Sequence, residues 1–308
     1  MVVNTQKYKL TLGPCLFNWK VNDWKNFYFK IANETEVDEV YLGEVVCVKR
    51  YPFFAVALED VVQELINNGK KVIFSTFSLI LNDLEINTGK KLLELANKYN
   101  TMLEVNDISM LNLVGDTPYV LGPTVNVYNE LTLTTLQKQG AKRVCFPYEI
   151  DKESLQVMAK IDIEKELFVF GRMPLAIAAR CYHARIHGTK KDDCKYVCEK
   201  DYNGKVISTL VDTNFLTVNG TQTMSYSYNN LLLELPELQQ MGINIFRLSP
   251  HYLAMPKVIA LFKDVLDSKI LPHEAYKEVQ GLMPMDSVFS NGFYQGLAGQ
   301  QNTHKVVE

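Results

Sequence analysis

The stretch KVIFSTFSLILNDLEINTGKKLLELANKYNTMLEV, residues 71–105, holds two short apolar runs on either side of a segment with helical spacing. The runs KVIFST (71–76) and TMLEV (101–105) are rich in apolar and β-branched residues, which favour strands. Between them, KKLLELANKYN (90–100) repeats its apolar residues at the three- and four-residue spacing of a helix. A strand, a helix and a second strand in this order predict two parallel strands joined by a crossover helix.

The same alternation extends along the chain. Six further apolar runs are YKLTLG (8–13), EVYLG (39–43), YVLGP (119–123), AKRVCFP (141–147), EKELFVF (164–170) and INIFRLS (243–249). Helical spacing recurs in VVQELINNGK (61–70), NELTLTTLQKQGA (129–141) and DKESLQVMAK (151–160). Eight such units predict an α/β fold of the TIM-type (β/α)8 barrel class, as a single barrel domain spanning residues 1–308. An open doubly wound sheet is the alternative.

The composition excludes several classes of protein. The 308 residues are 47% hydrophobic and 22% charged, with a net charge of -3, which is typical of a soluble globular protein. Because 32 basic residues are offset by 35 acidic ones without a long basic run, we expect no nucleic-acid partner. The apolar runs are too short to span a membrane.

The two ends of the chain give further expectations. The N-terminal sequence lacks a basic head followed by an apolar stretch, so we expect no secretion signal and a cytoplasmic location. Thiols stay reduced there, so the six cysteines should be ligands, nucleophiles or buried small residues rather than disulfides. We expect the tail at 299–308 to be frayed.

Three cysteines cluster where the strand and helix pattern breaks down, between the seventh and eighth predicted strands. We interpret residues 171–242 as a cysteine-rich insertion. Cys181, Cys194 and Cys198 are spaced C-x12-C-x3-C, and a helical turn would place the last two on one face. Cys47 follows the second predicted strand, so in a barrel all four thiols would lie above the C-terminal rim.

Four thiolates form a negatively charged cage that suits an iron-sulfur cluster or a structural zinc ion, and inert packing is the third alternative. Nearby cations that could offset this charge are Lys49, Arg50, Arg180, His183 and Arg185. The remaining cysteines, Cys15 and Cys145, are expected to be buried packing residues.

Several motifs resemble the UbiV branch of the collagenase-like peptidase family. They are YLGEVVCVKR (41–50), LGPTVNVYN (121–129), GRMPLAIAARCYHAR (171–185), the C-x12-C-x3-C set, NGTQTMSYSYNNL (219–231) and RLSP (247–250). The resemblance covers residues 12–250 with the order of the motifs intact, and the C-terminal 50 residues match more loosely.

This resemblance implies a 4Fe-4S protein of oxygen-independent ubiquinone biosynthesis. Cys47, Cys181, Cys194 and Cys198 would be the cluster ligands. A homologous UbiU-type subunit would be the partner in a heterodimer. Together they would hydroxylate the quinone ring anaerobically, with prephenate as the oxygen donor.

Peptidase activity, which the family label suggests, lacks support in the sequence. The collagenase-like signature survives only in part, with Phe170 and Arg172 at positions where smaller or more polar residues are expected. No G-x-S-x-G elbow or H-E-x-x-H zinc motif is present. A peptidase and a zinc-stabilised scaffold are the alternative functions.

Other polar residues follow predicted strands. Glu44 could accept a proton or bind substrate at the barrel mouth, and the alternatives are a cap of the next helix or a pair with Lys49. Arg247 could bind a carboxylate such as that of prephenate, or form a salt bridge that closes the barrel. These two are the candidate catalytic residues. Asn126 and Asn129 could line the mouth, but turn structure is the favoured interpretation. Tyr226 and Tyr228 could stack on a ring, although their period-two spacing is typical of a half-buried strand.

Overall fold

A computed structural model describes residues 8–304 of the protein. Its strands are β1 (Lys9–Leu12), β2 (Glu39–Leu42), β3 (Lys71–Ser75), β4 (Leu103–Val105), β5 (Tyr119–Leu121), β6 (Ala141–Cys145), β7 (Glu164–Ile177), β8 (Lys205–Ser208), β9 (Asn214–Asn219), β10 (Gln222–Asn230), β11 (Ile245–Leu248) and β12 (Phe289–Ser290). Its α-helices are α1 (Val21–Glu34), α2 (Tyr51–Asn67), α3 (Asp83–Lys98), α4 (Glu130–Lys138), α5 (Lys152–Met158), α6 (Tyr182–Ile186), α7 (Leu235–Met241), α8 (Met255–Leu266) and α9 (Pro272–Leu282).

The first seven strands and β11 form a closed parallel barrel. β11 pairs in parallel with both β1 and β7, and this second pairing closes the sheet. Lys9 lies opposite Ile245, which in turn lies opposite Glu166. The predicted TIM-type barrel is therefore confirmed, and each of the eight predicted runs forms one of its strands. The doubly wound alternative is wrong because the sheet has no open ends at these strands.

The helices form where the sequence predicts them, and α3 illustrates the local cause. The Asn82 side chain accepts a hydrogen bond from the Leu84 N–H at 2.9 Å, and Glu85 accepts one from the Asn82 N–H at 2.9 Å. This capping box satisfies amides that would have no partner in the first turn. The unit after β4 departs from the pattern, because it contains a short 3-10 helix, Ile108–Asn112, rather than an α-helix.

β7 is seven residues longer than predicted. Its outer half extends beyond the barrel because it pairs antiparallel with β10, for example Gln222 with Ile177. β9 and β8 extend the same sheet outward, since β10 pairs with β9 and β9 with β8. The segment between Ile177 and α7 thus consists of short helical turns followed by a three-stranded extension of the sheet.

The interior of the barrel contains buried ion pairs as well as apolar side chains. Arg247 donates from Nε and Nη2 to the two carboxylate oxygens of Glu166, both at 3.0 Å, and from Nη1 to Glu104 at 2.6 Å. Arg143 donates to Glu39 at 2.5 and 3.2 Å. All five charged groups are at most 3% exposed, so each depends on its partners for solvation.

Hydroxyl groups complete this network. Thr11 Oγ1 and the Tyr41 hydroxyl each donate to Glu166 at 2.5 Å, and the Arg247 guanidinium lies 4.0 Å above the Tyr41 ring. Burial alone would raise the pKa of Glu166, but Arg247 and Arg143 outweigh it and lower this pKa to about 2. Glu166 is therefore ionised in the folded protein.

Part of the C-terminal tail is bound to the barrel rather than frayed as expected. The Asn291 N–H donates to the Gln301 carbonyl at 3.0 Å, and the Thr303 N–H donates to Asn291 Oδ1 at 2.9 Å. His304 Nε2 lies 2.7 Å from the buried Glu234 carboxylate. Residues 305–308, to which the same expectation applied, lie outside the described residues.

Within the described part of the chain, no helix is both long enough and apolar enough to cross a membrane.

Replacing Arg247 by Leu should lower the free energy of unfolding by about 3–5 kcal/mol, because Glu104 and Glu166 would stay buried without their main counter-charge. Chemical denaturation measures this change. The exposed Arg185→Leu serves as the matched control and should change stability by no more than about 0.5 kcal/mol. Equal effects of the two substitutions would contradict a structural role of the network.

Docking of the tail should weaken as the pH rises. The hydrogen bond to Glu234 raises the pKa of His304, so the stabilisation is fully present below the ordinary histidine pKa and is lost as the pH rises through the raised value. Amide hydrogen exchange should therefore show protection factors at 299–304 that fall as the pH rises through the raised pKa of His304. His304→Gln should abolish this pH dependence, and an unchanged dependence in that variant would refute the assignment.

Candidate thiol site and barrel mouth

The four clustered cysteines line one small pocket. Cys47 precedes the 3-10 helix Val48–Arg50 that follows β2, Cys181 precedes α6, and Cys194 and Cys198 lie in the turns after α6. All six cysteines of the chain are free thiols. The structure thus places Cys47 beside three thiols that lie more than 130 residues away in sequence.

Cys194 and Cys198 do not share a helical turn, so that part of the sequence interpretation is wrong. They belong to separate 3-10 turns, and the intervening Lys195 and Tyr196 adopt left-handed conformations with φ of 47° and 53°. This reversal of the backbone still directs both residues to the same pocket.

The loop that carries Cys47 is fixed by Glu44. Its Oε1 accepts hydrogen bonds from the Val46 N–H at 2.7 Å and the Cys47 N–H at 2.8 Å. Glu44 is 2% exposed, and burial raises the pKa of its carboxyl group while Arg50 at 3.9 Å lowers it. These hydrogen bonds fix the loop before the 3-10 helix Val48–Arg50 and do not cap a helix, because neither that helix nor α2 has a side-chain cap.

Several N–H groups point at the sulfur atoms. Asn18 Nδ2 donates to Cys198 Sγ at 3.4 Å, and the Ala184 N–H donates to Cys181 Sγ at 3.4 Å. Such bonds stabilise a thiolate or a metal-bound thiolate more than a neutral thiol. Burial nevertheless raises the pKa of both Cys47 and Cys181, so the described surroundings alone favour neutral thiols at these two positions.

Cations surround the pocket. Lys49, Arg50 and Lys191 contribute to its lining. Arg50 is 2% exposed, and its guanidinium donates to the Leu16 carbonyl and to Asn219 Oδ1, both at 3.0 Å. Burial opposes its charge, but the Cys198, Glu44 and Cys47 groups outweigh burial and raise the pKa of Arg50. A buried positive charge therefore lies directly beside the thiols.

The donor set fits a thiolate-bound group, because four free thiols converge on one pocket beside cations and N–H donors. Within residues 8–304, one set of at least three His, Cys, Asp or Glu ligand atoms lies mutually within 4.8 Å, and it consists of His183, His187 and Asp201. No three of the four sulfur atoms therefore lie mutually within 4.8 Å of one another.

The other cations expected near the thiols do not line the pocket. Arg180 and Arg185 are exposed and do not line the pocket. His183 is fully buried, and its Nε2 lies 2.9 Å from Asp201, while its ring stacks on His187 with centroids 5.5 Å apart. His187 Nε2 lies 3.9 Å from the same carboxylate and has no hydrogen-bond partner among the described residues.

A second cavity, of about 290 Å³, lies at the C-terminal mouth of the barrel. Its walls follow the carboxyl ends of four strands: Ser78 and Leu79 after β3, Pro123, Thr124, Asn126 and Tyr128 after β5, Pro147, Tyr148 and Glu149 after β6, and 174–177 in β7. This is the edge where TIM-type barrels build their sites. A larger groove of about 750 Å³ lies outside the barrel, between α1 and residues 252–257.

A chain of hydrogen bonds connects this mouth pocket to the charged interior of the barrel. Thr124 Oγ1 donates to the Asn106 carbonyl at 2.7 Å, and Asn106 Nδ2 donates to Glu104 at 3.1 Å. Glu104 in turn binds Arg247. Burial raises the pKa of the Tyr148 hydroxyl, and Arg247 acts in the opposite direction.

The remaining candidates divide between the mouth and the structural framework. Asn126 lines the mouth pocket with φ of 62°, whereas the Asn129 side chain caps α4 by accepting from the Thr132 N–H at 2.9 Å. Arg247 is the salt-bridging residue of the barrel interior, with its donors directed at glutamates rather than at the mouth. These contacts agree with the salt-bridge alternative for Arg247.

The two tyrosines form part of β10. Tyr228 is 1% exposed, and the Tyr226 hydroxyl donates to the Asp286 carbonyl at 2.7 Å. The Arg172 guanidinium lies 5.2 Å from the Tyr226 ring and 4.4 Å from the Tyr228 ring. Neither ring lines a described thiol or mouth pocket, which agrees with the strand alternative.

Sequence reasoning missed Asn18, Lys191 and Gly220 at the thiol site. Asn18 follows the first strand-like run, and Lys191 lies inside the C-x12-C spacing. Their positions in the sequence could therefore have marked both residues as neighbours of the thiols. Gly220 has φ of +64°, and a Cβ there would lie 2.4 Å from Arg50 Nη2. Nothing in the sequence around Gly220 indicates this contact.

A match to Peptidase family U32 spans residues 24–305. The chain belongs to this family. The family resemblance found in the sequence is thereby confirmed, while its UbiV branch stays a prediction.

This U32 chain is similar to a curated protein with a described role. It is 22% identical over 185 residues to tRNA hydroxylation protein P1 of Bacillus subtilis, and the alignment covers 54% of this chain and 42% of that protein. The chain thus matches less than half the length of that relative.

Two solved structures resemble this U32 barrel at a low level. Dihydropteroate synthase of Xanthomonas albilineans is 11% identical with a TM-score of 0.44, covering 90% of this chain and 95% of that one. A chain of the tryptophan synthase complex of Pyrococcus furiosus is 12% identical with a TM-score of 0.41, covering 88% and 96%.

Gly220→Ala should destabilise the protein more than Gly188→Ala. Both glycines have positive φ, 64° and 69°, but a Cβ at Gly188 meets nothing within 4 Å. We expect Gly188→Ala to lower the free energy of unfolding by about 1–2 kcal/mol, the cost of a left-handed non-glycine residue. Gly220→Ala should cost more because Arg50 must also move. Chemical denaturation of both variants measures the difference, and equal values would show that Arg50 is not held in place.

Proposed function

We propose that the chain is an iron-sulfur subunit of an oxygen-independent hydroxylation system, with a 4Fe-4S cluster bound by Cys47, Cys181, Cys194 and Cys198. The convergence of these four thiols on one pocket carries the proposal. The relative whose printed name describes tRNA hydroxylation supports a hydroxylation-related role. A cluster of this kind supplies one-electron transfer when bound.

The spread of the sulfur atoms supports a cluster over a zinc ion. A tetrahedral zinc site with Zn–S bonds of about 2.3 Å holds its sulfurs about 3.8 Å apart. In a four-iron cluster each cysteine binds a different iron atom, so the sulfurs lie farther from one another. No three of the four sulfur atoms here lie mutually within 4.8 Å.

The surrounding residues have definable roles in this proposal. Glu44 holds the Cys47 loop through two N–H groups. Arg50 offsets the negative charge of the thiolates, and Asn18 donates a hydrogen bond to Cys198. Charge and hydrogen bonds of this type tune the reduction potential of a cluster.

The finer parts of the proposal rest on the UbiV resemblance. The substrate is a precursor of ubiquinone, the oxygen donor is prephenate, the partner is a homologous UbiU-type subunit in a heterodimer, and the location is the cytoplasm. The motif around Cys47 and the C-x12-C-x3-C set support this assignment.

Protein purified without oxygen should be brown and contain about four iron and four sulfide per chain. Cys47→Ala should lose most of the iron and the visible absorption. The matched control, Cys145→Ala, removes a buried thiol from the barrel interior and should retain both. A colourless protein that contains zinc, or a Cys47→Ala variant with unchanged iron, would overturn the proposal.

A further inference from the structure

We propose that His183, His187 and Asp201 bind a divalent transition-metal ion, as a second site beside the thiol pocket. The inference goes beyond the proposed function and does not depend on the cluster, because no cysteine contributes a ligand to it. It rests on the spacing of the two histidines, on the distances between the three ligand atoms, and on a buried ring nitrogen that has no partner.

The two histidines lie on one face of a helical turn. His183 lies inside α6 and His187 directly follows this helix, so the two are four residues apart. Histidines at this spacing project to the same side, and the zinc motif of metalloproteases uses such a pair. The sequence HARIH (183–187) lacks the glutamate that follows the first histidine in that motif. The spacing therefore indicates metal binding without peptidase chemistry.

The third ligand comes from the chain just after Cys198. Asp201 Oδ2 lies 2.9 Å from His183 Nε2 and 3.9 Å from His187 Nε2. Ligand atoms bound to a metal at about 2.1 Å lie about 3.0 Å apart at octahedral angles and about 3.4 Å apart at tetrahedral angles. The distance from Asp201 to His183 already has this size, so metal binding requires a small approach of the His187 ring.

His187 provides the observation that a hydrogen bond alone does not explain. Its Nε2 is buried and has no hydrogen-bond partner among the described residues. The 3.9 Å to Asp201 is too long for a hydrogen bond. Buried polar atoms without a partner are unfavourable and uncommon. An ion between the two rings and the carboxylate would bind the lone pair of this nitrogen.

His183 must also present a lone pair to the ion. Without a metal, its Nε2 carries the proton and donates to Asp201 at 2.9 Å. Metal binding at Nε2 requires that proton on Nδ1 instead. The change costs the contact from the Gly220 N–H to Nδ1, which at 3.5 Å is at the limit of hydrogen-bond length. The contact that opposes the ion is therefore a weak one.

The donor set defines the class of ion and its access to solvent. Two imidazole nitrogens and one carboxylate oxygen suit zinc or ferrous iron, and three protein ligands leave further coordination positions open. His183 is fully buried, whereas the His187 and Asp201 side chains are 26% and 19% exposed. The ion would thus be bound from the protein side, with water at its outer face.

The test uses protein purified without oxygen, dialysed against EDTA and titrated with Zn²⁺ by calorimetry. We expect about one zinc ion per chain. Asp201→Asn keeps an oxygen acceptor for His183 but removes the charge, and His187→Ala removes a half-exposed ligand. Each should weaken zinc binding about tenfold or more, because even the outer partners of metal ligands contribute that much. His273→Ala, at an exposed position on α9, is the matched control and should leave binding unchanged.

X-ray absorption at the zinc edge distinguishes this site from the thiols. A first shell of nitrogen and oxygen at about 2.0–2.1 Å supports the inference, whereas sulfur at about 2.3 Å would place the zinc at the cysteines. Three outcomes overturn it: the absence of zinc binding, a first shell of sulfur alone, and unchanged affinity in Asp201→Asn. Iron is measured in the same samples, so iron-free protein with a nitrogen and oxygen shell would refute the cluster and leave this site intact.

Discussion

The buried ion pairs of Arg247 with Glu166 and Glu104 impose the strictest constraint on this barrel. Barrel interiors of this class are usually filled by layers of branched apolar side chains. Here Arg247 reaches from β11 to acidic residues on β7 and β4. A shift of register in any of these strands would leave a charge buried without its partner, which costs more than a lost apolar contact. The network therefore selects one alignment of the strands.

That alignment also determines the geometry of the rim. Glu104 binds Asn106, and the Asn106 carbonyl accepts from Thr124 at the mouth. The loop after β2, which ends in Cys47, is fixed by Glu44 rather than by the barrel interior. The rim accordingly has two separately supported parts, one over the charged interior and one beside Arg50. Each part can be altered while the other remains in place.

The sequence was sufficient to predict the eight strands because each one is a local apolar run between turn signals. It was insufficient for the outer half of β7, since residues 171–177 become a strand only through pairing with β10. Arg247 illustrates the same limit, because the proximity of residues 104, 166 and 247 results from closure of the barrel. The cysteine set could be predicted from the sequence because three members are close in sequence and Cys47 follows a predicted strand. The role of Gly220 could not be predicted from the sequence, because it depends on contact with Arg50, which is 170 residues away.

The thiol pocket draws its walls from Cys47, the segment 181–198 and Gly220. During synthesis Cys47 therefore leaves the ribosome more than 170 residues before Gly220. Until β10 follows Gly220 and pairs with β7, Arg50 lacks its Asn219 acceptor in place and the four thiols have no common enclosure. The pocket is for that reason completed late in synthesis, because more than half of the chain is made between Cys47 and Gly220.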